Sequence, residues 1–293
     1  MPELPEVETV RKGLNDRLDH FSIKDIEVCR ETAIASTGGS KEFIKMMSGS
    51  LVGHWERRGK YLIAALHQEQ SKEINVQTLS RNKLYGWWVV HLRMTGQFQW
   101  HQKKVLPCPH TRVRFWDEKG SELRFVDMRS FGQMWWVPPE TVPEQIIHGL
   151  KHLGPEPFSK SFNALYLRQR LKGRRRSIKS ALLDQSLVAG VGNIYADESL
   201  FAAGILPQKE SGQLLQLELE RLCRSLKEVM EISIGKGGTT FSDFRNLEGG
   251  NGQYGGEAWV YRRNKKPCRE CGAIIQREKL SGRGTHWCPV CQT

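Results

Sequence analysis

The sequence predicts a multidomain α+β protein: an N-terminal β-sandwich with an N-terminal helix, then a helical C-terminal domain and a small cysteine-rich module. Three observations predict it. Short β-branched and aromatic runs separated by turns fill residues 21–137, apolar residues at helical spacing fill 162–234, and two CxxC pairs close the chain. The 293 residues give room for about two domains. A hydrophobic content of 39% with nine Trp excludes a mostly disordered chain. Mean hydropathy is −0.51 and no apolar run approaches the ~18 residues of a membrane span. The acidic start Met1-Pro2-Glu3-Leu4-Pro5-Glu6 has no apolar signal core, so secretion is not expected.

The first helix is expected to begin at Pro5, a favoured first helical residue, with Leu4, Val7, Val10 and Leu14 at helical spacing. Strands are expected at 21–28, 61–66, 87–92, 112–116, 123–126 and 133–137, with turns such as Glu118-Lys119-Gly120, as in an antiparallel sandwich or barrel. Val137-Pro138-Pro139-Glu140 breaks that pattern, and a linker runs to Gly154-Pro155-Glu156-Pro157. Helices follow at 162–171, 178–187, 195–203 and 214–234, the last with an apolar stripe of Leu215, Leu219, Leu222 and Val229. Residues 235–257 are Gly-rich and read as a loop.

Net charge is +12, from 44 Lys+Arg against 32 Asp+Glu, and it is concentrated. Residues 160–183 carry Lys160, Arg168, Arg170, Lys172, Arg174, Arg175, Arg176 and Lys179 with no acid, a block of +8. Residues 262–293 carry +6, which leaves −2 for everything else. Two segregated basic blocks suit a phosphate backbone, with a solvated surface as the plainer alternative.

Cys268-x2-Cys271-x16-Cys288-x2-Cys291 has the spacing of a tetrahedral four-thiolate zinc site, and a segment this small needs the metal to stay folded. Disulfides do not fit a chain without a secretion signal. Cys29, Cys108 and Cys223 share no spacing. His148 and His152 stand at i, i+4 but have no acidic partner. Gly190-Val191-Gly192-Asn193 lacks the third Gly of a dinucleotide fingerprint, and Gly235-Lys236-Gly237-Gly238-Thr239-Thr240 is not a phosphate-binding loop, so no nucleotide cofactor is implied.

Pro2 follows the initiator Met, whose removal would expose a secondary amine able to attack an electrophilic carbon, with Glu3 and Glu6 beside it as acids or bases. The full string Met1-Pro-Glu-Leu-Pro-Glu-Val-Glu-Thr-Val10 resembles the start of formamidopyrimidine-DNA glycosylases, bacterial enzymes that excise oxidised purines. Gly190–Phe201 resembles that family's helix–two-turns–helix signature, Leu153–Pro157 its hinge, Gly237–Thr240 the start of its lesion-facing loop and Gly282–Thr285 the tip of its zinc finger. The similarity covers nearly the whole chain. The related endonuclease VIII group begins Pro-Glu-Gly-Pro, so Leu4 favours the purine branch.

The resemblance implies domains at 1–137 (catalytic β-sandwich), 138–157 (hinge), 158–258 (helix–two-turns–helix with lesion loop) and 259–293 (four-cysteine zinc finger). It implies a two-lobed cytoplasmic monomer acting on damaged double-stranded DNA at the bacterial chromosome, with one structural zinc. Mature Pro2 would attack the sugar C1′ and form a Schiff base, and Glu3 would protonate the ring oxygen. Lys60 would contact phosphate and assist elimination, and Arg283 at the finger tip would grip phosphates flanking the lesion. Asn193, Lys179 and Arg174 match phosphate-binding positions, and His110 a further one. Met94, Arg129 and Phe131 match the residues inserted where the base leaves, Phe as a wedge and Arg as the reader of the orphaned cytosine.

Two departures stand out. Residues 67–86 are longer and more polar than the usual hairpin, and an exposed loop away from DNA is expected there. Ser130 replaces a common Arg beside the insertion residues. Two other functions fit part of the sequence: an endonuclease VIII-like pyrimidine glycosylase, and a non-catalytic zinc-ribbon nucleic-acid-binding protein.

Overall fold

The computed structural model describes residues 1–18, 21–68 and 83–293. They form two compact units that interleave along the chain. The first contains 1–2, 6–151 and 240–252, and the second contains 3–5, 152–239 and 253–293.

The first unit is a sandwich of two four-stranded antiparallel sheets. One has the order β1 (Asp25–Val28), β6 (Thr111–Trp116), β7 (Glu122–Asp127), β5 (Gly96–His101). The other runs β2 (Ser50–Arg58), β3 (Tyr61–Gln68), β4 (Leu84–His91), β8 (Gln133–Val137). Alternation drives the packing: along β6 every second residue is buried. The Trp88 ring lies 4.5 Å from Phe115 and Trp55 lies 6.3 Å from Phe98, so aromatic rings fill the space between the sheets. Val7, Val10 and Leu14 of α1 (Leu4–Arg17) join this core, as do Phe43 and Met47 of α2 (Gly39–Met47). Phe244 and Leu247 join it from 240–252, where the Trp100 amide donates to the Leu247 carbonyl at 3.2 Å.

The six expected strands are present, and α1 starts one residue before Pro5. β2, β5 and α2 are additional to the expected elements. β2 carries a register shift between Val52 and Trp55, and Gly53, His54 and Glu56 break its apolar pattern. β5 is Gly-Gln-Phe-Gln-Trp-His, polar at alternate positions and opened by Gly96. Of the polar stretch 67–86, residues 69–82 lie outside the described residues; His67 and Gln68 end β3, and Leu84–Gly86 open β4.

Two short helices, α3 (Pro143–Ile146) and α4 (His148–Lys151), lie within the expected linker. The second unit holds α5 (Ala164–Leu171), α6 (Ile178–Leu182), α7 (Asn193–Ala203) and α8 (Gln216–Gly235), followed by the hairpin β9 (Gln276–Leu280) and β10 (Arg283–Trp287). α6 ends five residues earlier than the apolar spacing predicts, because Asp184 Oδ1 accepts from the Ser186 amide and hydroxyl and starts a turn.

An ion-pair cluster on β6 and β7 makes acid stability testable. Glu122 is buried, with Arg124 Nε at 2.7 Å and Arg114 Nε at 2.8 Å. Burial alone would raise its carboxyl, but hydrogen bonds and charge from Arg124 and Arg114 pull it down to about 2. An unfolded Glu titrates near ~4.3, so the stabilisation is complete above that pH and is lost as pH falls toward the folded value. Glu122→Gln should cost on the order of 2–3 kcal/mol at pH 7 and flatten the pH dependence of thermal melting below pH ~4.5.

Candidate active site and nucleic-acid interface

Glu3 is fixed by the start of α7. Its carboxylate accepts from the Ile194 amide at 3.1 Å and the Tyr195 amide at 3.4 Å, and it is 3% exposed. Amides of a first helical turn have no carbonyl one turn back within the helix, and with the positive end of the helix dipole they favour an anion there. The Gly190-Val191-Gly192 run makes this approach possible. Gly190 turns at φ +85°, and its carbonyl accepts from the Leu4 amide at 3.1 Å. A Cβ on Gly192 would stand 2.2 Å from Glu3 Cδ, so only glycine leaves room for the carboxylate. Pro2, one residue earlier, is buried.

Lys60 follows Gly59 (φ +57°) in the turn between β2 and β3 and is 7% exposed. His91, on the neighbouring strand β4, is pushed down to about 3 by burial, with the charges of Arg93 and Lys60 adding to it. His91 is therefore neutral at pH 7, and its Nδ1 accepts from the Arg93 amide at 3.0 Å.

Met94, Ser130 and Phe131 line an open cavity of about 520 Å³ with Met1, Thr32, Arg93 and Gln133. Phe131 is 51% exposed despite its size. The guanidinium of the exposed Arg129 sits 4.9 Å from its ring centre. Arg93 and Ser130, flanking these side chains, both adopt φ +54°, a left-handed conformation uncommon for residues other than glycine. His110 is exposed, and Arg112 Nη2 lies 3.5 Å from its Nδ1.

In the second unit Arg174 lines a cavity of about 360 Å³ with Arg170, Arg175, Arg176, Asp184, Ser186 and Leu187. Lys179, counted in the basic block, is 1% exposed. Its ammonium pairs with Asp197 Oδ1 at 2.6 Å and donates to the Gly284 carbonyl and Thr285 Oγ1, both at 2.9 Å. In this structure Lys179 ties α6 to α7 and the β9–β10 hairpin, and its charge is met inside the protein. Asn193 Nδ2 likewise donates to the Gly284 carbonyl at 2.9 Å. Arg283 opens β10 on the surface, after a turn through Ser281 (φ +47°) and Gly282 (φ +78°).

Sequence reasoning missed the buried acids of α7. Asp197 accepts from the His286 amide at 2.9 Å, and Glu198 accepts from the amides of Trp259, Val260 and Tyr261 at 2.8–3.0 Å. Adjacent acids within the otherwise apolar run Ile194–Ala203 were the available signal.

The four cysteines converge. Their sulfurs lie within 4.8 Å of one another, with 3.9 Å between Cys268 and Cys291 and 3.4 Å between Cys271 and Cys288. Zn–S bonds of ~2.3 Å in tetrahedral geometry separate sulfurs by about 3.8 Å, so the set fits one zinc. Among the described residues no other group of three or more potential metal ligands is gathered. α4 ends at Lys151, so His152 lies outside the helix that would pair it with His148.

Three family models match in succession: the formamidopyrimidine-DNA glycosylase N-terminal domain over residues 1–134, the formamidopyrimidine-DNA glycosylase H2TH domain over 153–245, and a zinc finger found in FPG and IleRS over 265–293. The chain belongs to the formamidopyrimidine-DNA glycosylase family. The formamidopyrimidine-DNA glycosylase of Prochlorococcus marinus strain MIT 9313 is 66% identical over 292 residues, and that of Parasynechococcus marenigrum strain WH8102 is 62% identical, each match covering all of both chains. A Lactococcus lactis FPG mutant crystallised with Fapy-dG-containing DNA superposes with a TM-score of 0.87 at 32% identity, covering all of both chains. The Lactococcus lactis protein on abasic-site DNA gives 0.86 at 32% identity over 99% of each. Within the family frame, the helix–two-turns–helix signature is where Glu3 finds its amide donors, and the finger cysteines are the metal set.

Proposed function

We infer that the chain is a bifunctional DNA glycosylase and abasic-site lyase that excises oxidised purines from duplex DNA in base excision repair. The observation that carries this reading is Glu3 seated on the α7 N-terminus directly after a proline at position 2, in a chain of this family. Once Met1 is removed, the Pro2 nitrogen attacks C1′ of the damaged nucleotide, the glycosidic bond breaks, and the base leaves with a proton. Glu3 relays the proton lost by the Pro2 nitrogen to the ring oxygen O4′, the C1′–O4′ bond breaks, and C1′ becomes an iminium carbon on that nitrogen. Loss of a C2′ proton expels one phosphate, and a second elimination expels the other, leaving a gapped strand. Lys60 assists proton transfer and phosphate departure, and Arg283 holds the flanking phosphates. His110, Arg174 and Asn193 are assigned to the DNA backbone. Lys179 supports that surface from beneath, where burial and its Asp197 and Gly284 partners favour this role. Met94, Arg129 and Phe131 fill the gap left by the flipped base.

We assign the domains to 1–137, 138–157, 158–258 and 259–293, the working form to a monomer and the site of action to the bacterial cytoplasm. Cys268, Cys271, Cys288 and Cys291 would hold a structural zinc that organises the finger and takes no part in bond breaking.

Borohydride trapping on duplexes containing 8-oxoguanine, an oxidised pyrimidine or no lesion tests the reading. A covalent adduct is expected, strongest on the oxidised purine. Preference for the pyrimidine would favour the endonuclease VIII-like reading, and no adduct on any duplex would favour a non-catalytic binder. Lys60→Met should slow strand cleavage of abasic DNA at least tenfold relative to adduct formation, measured as the ratio of trapped to cleaved strand. A wild-type ratio would remove Lys60 from the elimination step.

A further inference from the structure

Asp127, at the end of β7, is fully buried, yet every donor it collects belongs to a segment presenting one of the proposed DNA contacts. Its Oδ1 accepts from the Thr95 hydroxyl and from the Arg129 amide at 3.1 Å, and its Oδ2 accepts from the Gly132 amide at 2.7 Å. The Arg129 amide also donates to Thr95 Oγ1 at 3.0 Å, which closes the ring. The Asp127 main chain extends the connection: its amide donates to the His110 carbonyl at 2.9 Å, and its carbonyl accepts from Arg112 Nε at 2.8 Å. One residue thus touches the turn after Met94, both ends of the loop holding Arg129 and Phe131, and the segment holding His110.

We propose that Asp127 is the positioning residue of the base-insertion apparatus, fixing the Met94 turn and the Arg129–Phe131 loop in one arrangement before DNA arrives. The proposal rests on the reading of Met94, Arg129 and Phe131 as inserted residues. Taking a carboxylate out of water is costly, and an apolar side chain would fill the same space. What an apolar residue lacks is acceptors for three converging donors. The loop needs such a clamp, because Arg93 and Ser130 hold left-handed backbones beside the Met94 and Phe131 side chains. The packing leaves no other solution at Gly132: a Cβ there would meet Phe125 Cζ at 2.5 Å and Asp127 Oδ2 at 3.0 Å. Insertion demands sub-ångström placement of the Arg129 fork, so preforming the loop raises discrimination more than it raises bulk stability.

The variant Asp127→Asn keeps the shape but turns an amide NH2 toward at least one of the three donors. The readout is the ratio of single-turnover excision of 8-oxoguanine opposite cytosine to that opposite adenine. The ratio should fall at least ~fivefold in Asp127→Asn, and about two- to threefold in Thr95→Val, which loses one hydroxyl at nearly constant volume. A parallel fall in both rates with the ratio intact would mean a merely structural role and would overturn the proposal, as would an unchanged ratio. Thr95→Val decides the matter if Asp127→Asn does not fold. Arg129→Ala separates the two readings. If it keeps the wild-type ratio, the assignment of Arg129 as cytosine reader fails. If it collapses the ratio while Asp127→Asn and Thr95→Val do not, the positioning role of Asp127 fails alone.

Discussion

A preparation that keeps Met1 is expected to form no covalent adduct with damaged DNA, with trapping reduced by more than a thousandfold against the processed chain. In the unprocessed chain the Pro2 nitrogen is a tertiary amide whose lone pair is delocalised into the carbonyl. After processing it is a secondary amine. Ordinary α-amino groups titrate near ~8 and lysines near ~10.4, so at pH 7 roughly a tenth of the former but under ~0.1% of the latter is free base. That advantage, together with burial of Pro2 next in sequence to a carboxylate fixed by two amides, selects position 2 over the 44 Lys and Arg side chains. Intact-mass measurement paired with borohydride trapping on the same sample checks it. Pro2→Gly retains an amine but loses the ring that fixes rotation about the N–Cα bond, so its lone pair is no longer aimed. Adduct formation should drop at least tenfold. Full trapping by a chain with retained Met1, or wild-type rates for Pro2→Gly, would remove Pro2 as the nucleophile.

Local patterns carry much of this architecture. Strands such as Thr111–Trp116 alternate buried and half-buried residues, and Gln216–Gly235 shows its apolar stripe, so both are readable. β2 is not, because its irregularity at Val52–Trp55 interrupts the period on which the reading depends. The same limit separates the site residues. Pro2, Glu3 and the four cysteines sit in short contiguous motifs. Asp197 and Glu198 act through partners at 259–261 and 286, and Asp127 in part through Thr95, so only the adjacent acids in the apolar run of α7 leave a local mark. Lys179 shows the converse error of inference. By composition it belongs to the +8 block, but folding turns its charge inward onto Asp197. Net charge points to the basic segments without saying which of their cations face outward.

Loss of zinc should be nearly as damaging as loss of the amine, but through binding rather than chemistry. The finger has little core of its own: Cys268, Ile275 and Cys288 are buried with Val260 and Phe201, and two of these five are metal ligands. So small a cluster cannot offset the chain entropy of the segment without the metal. Cys268→Ser should bind no zinc by elemental analysis and lose at least tenfold in affinity for duplex DNA. Chelation of the wild-type chain should do the same, with recovery on adding zinc back. The reach of the effect follows from the contacts of β10. Gly284 and Thr285 accept from Lys179, Asn193 also donates to Gly284, and the His286 amide donates to Asp197. When the hairpin melts, Arg283 loses its support, and Lys179 with Asp197 loses the partners that offset burial of the pair. Affinity should therefore fall further than removal of Arg283 alone would explain, and the salt dependence of binding should weaken as the finger's cations leave the backbone. A zinc-free chain that bound duplex DNA with wild-type affinity and salt slope would show that neither the finger nor the α7 network beneath it carries the grip on phosphate.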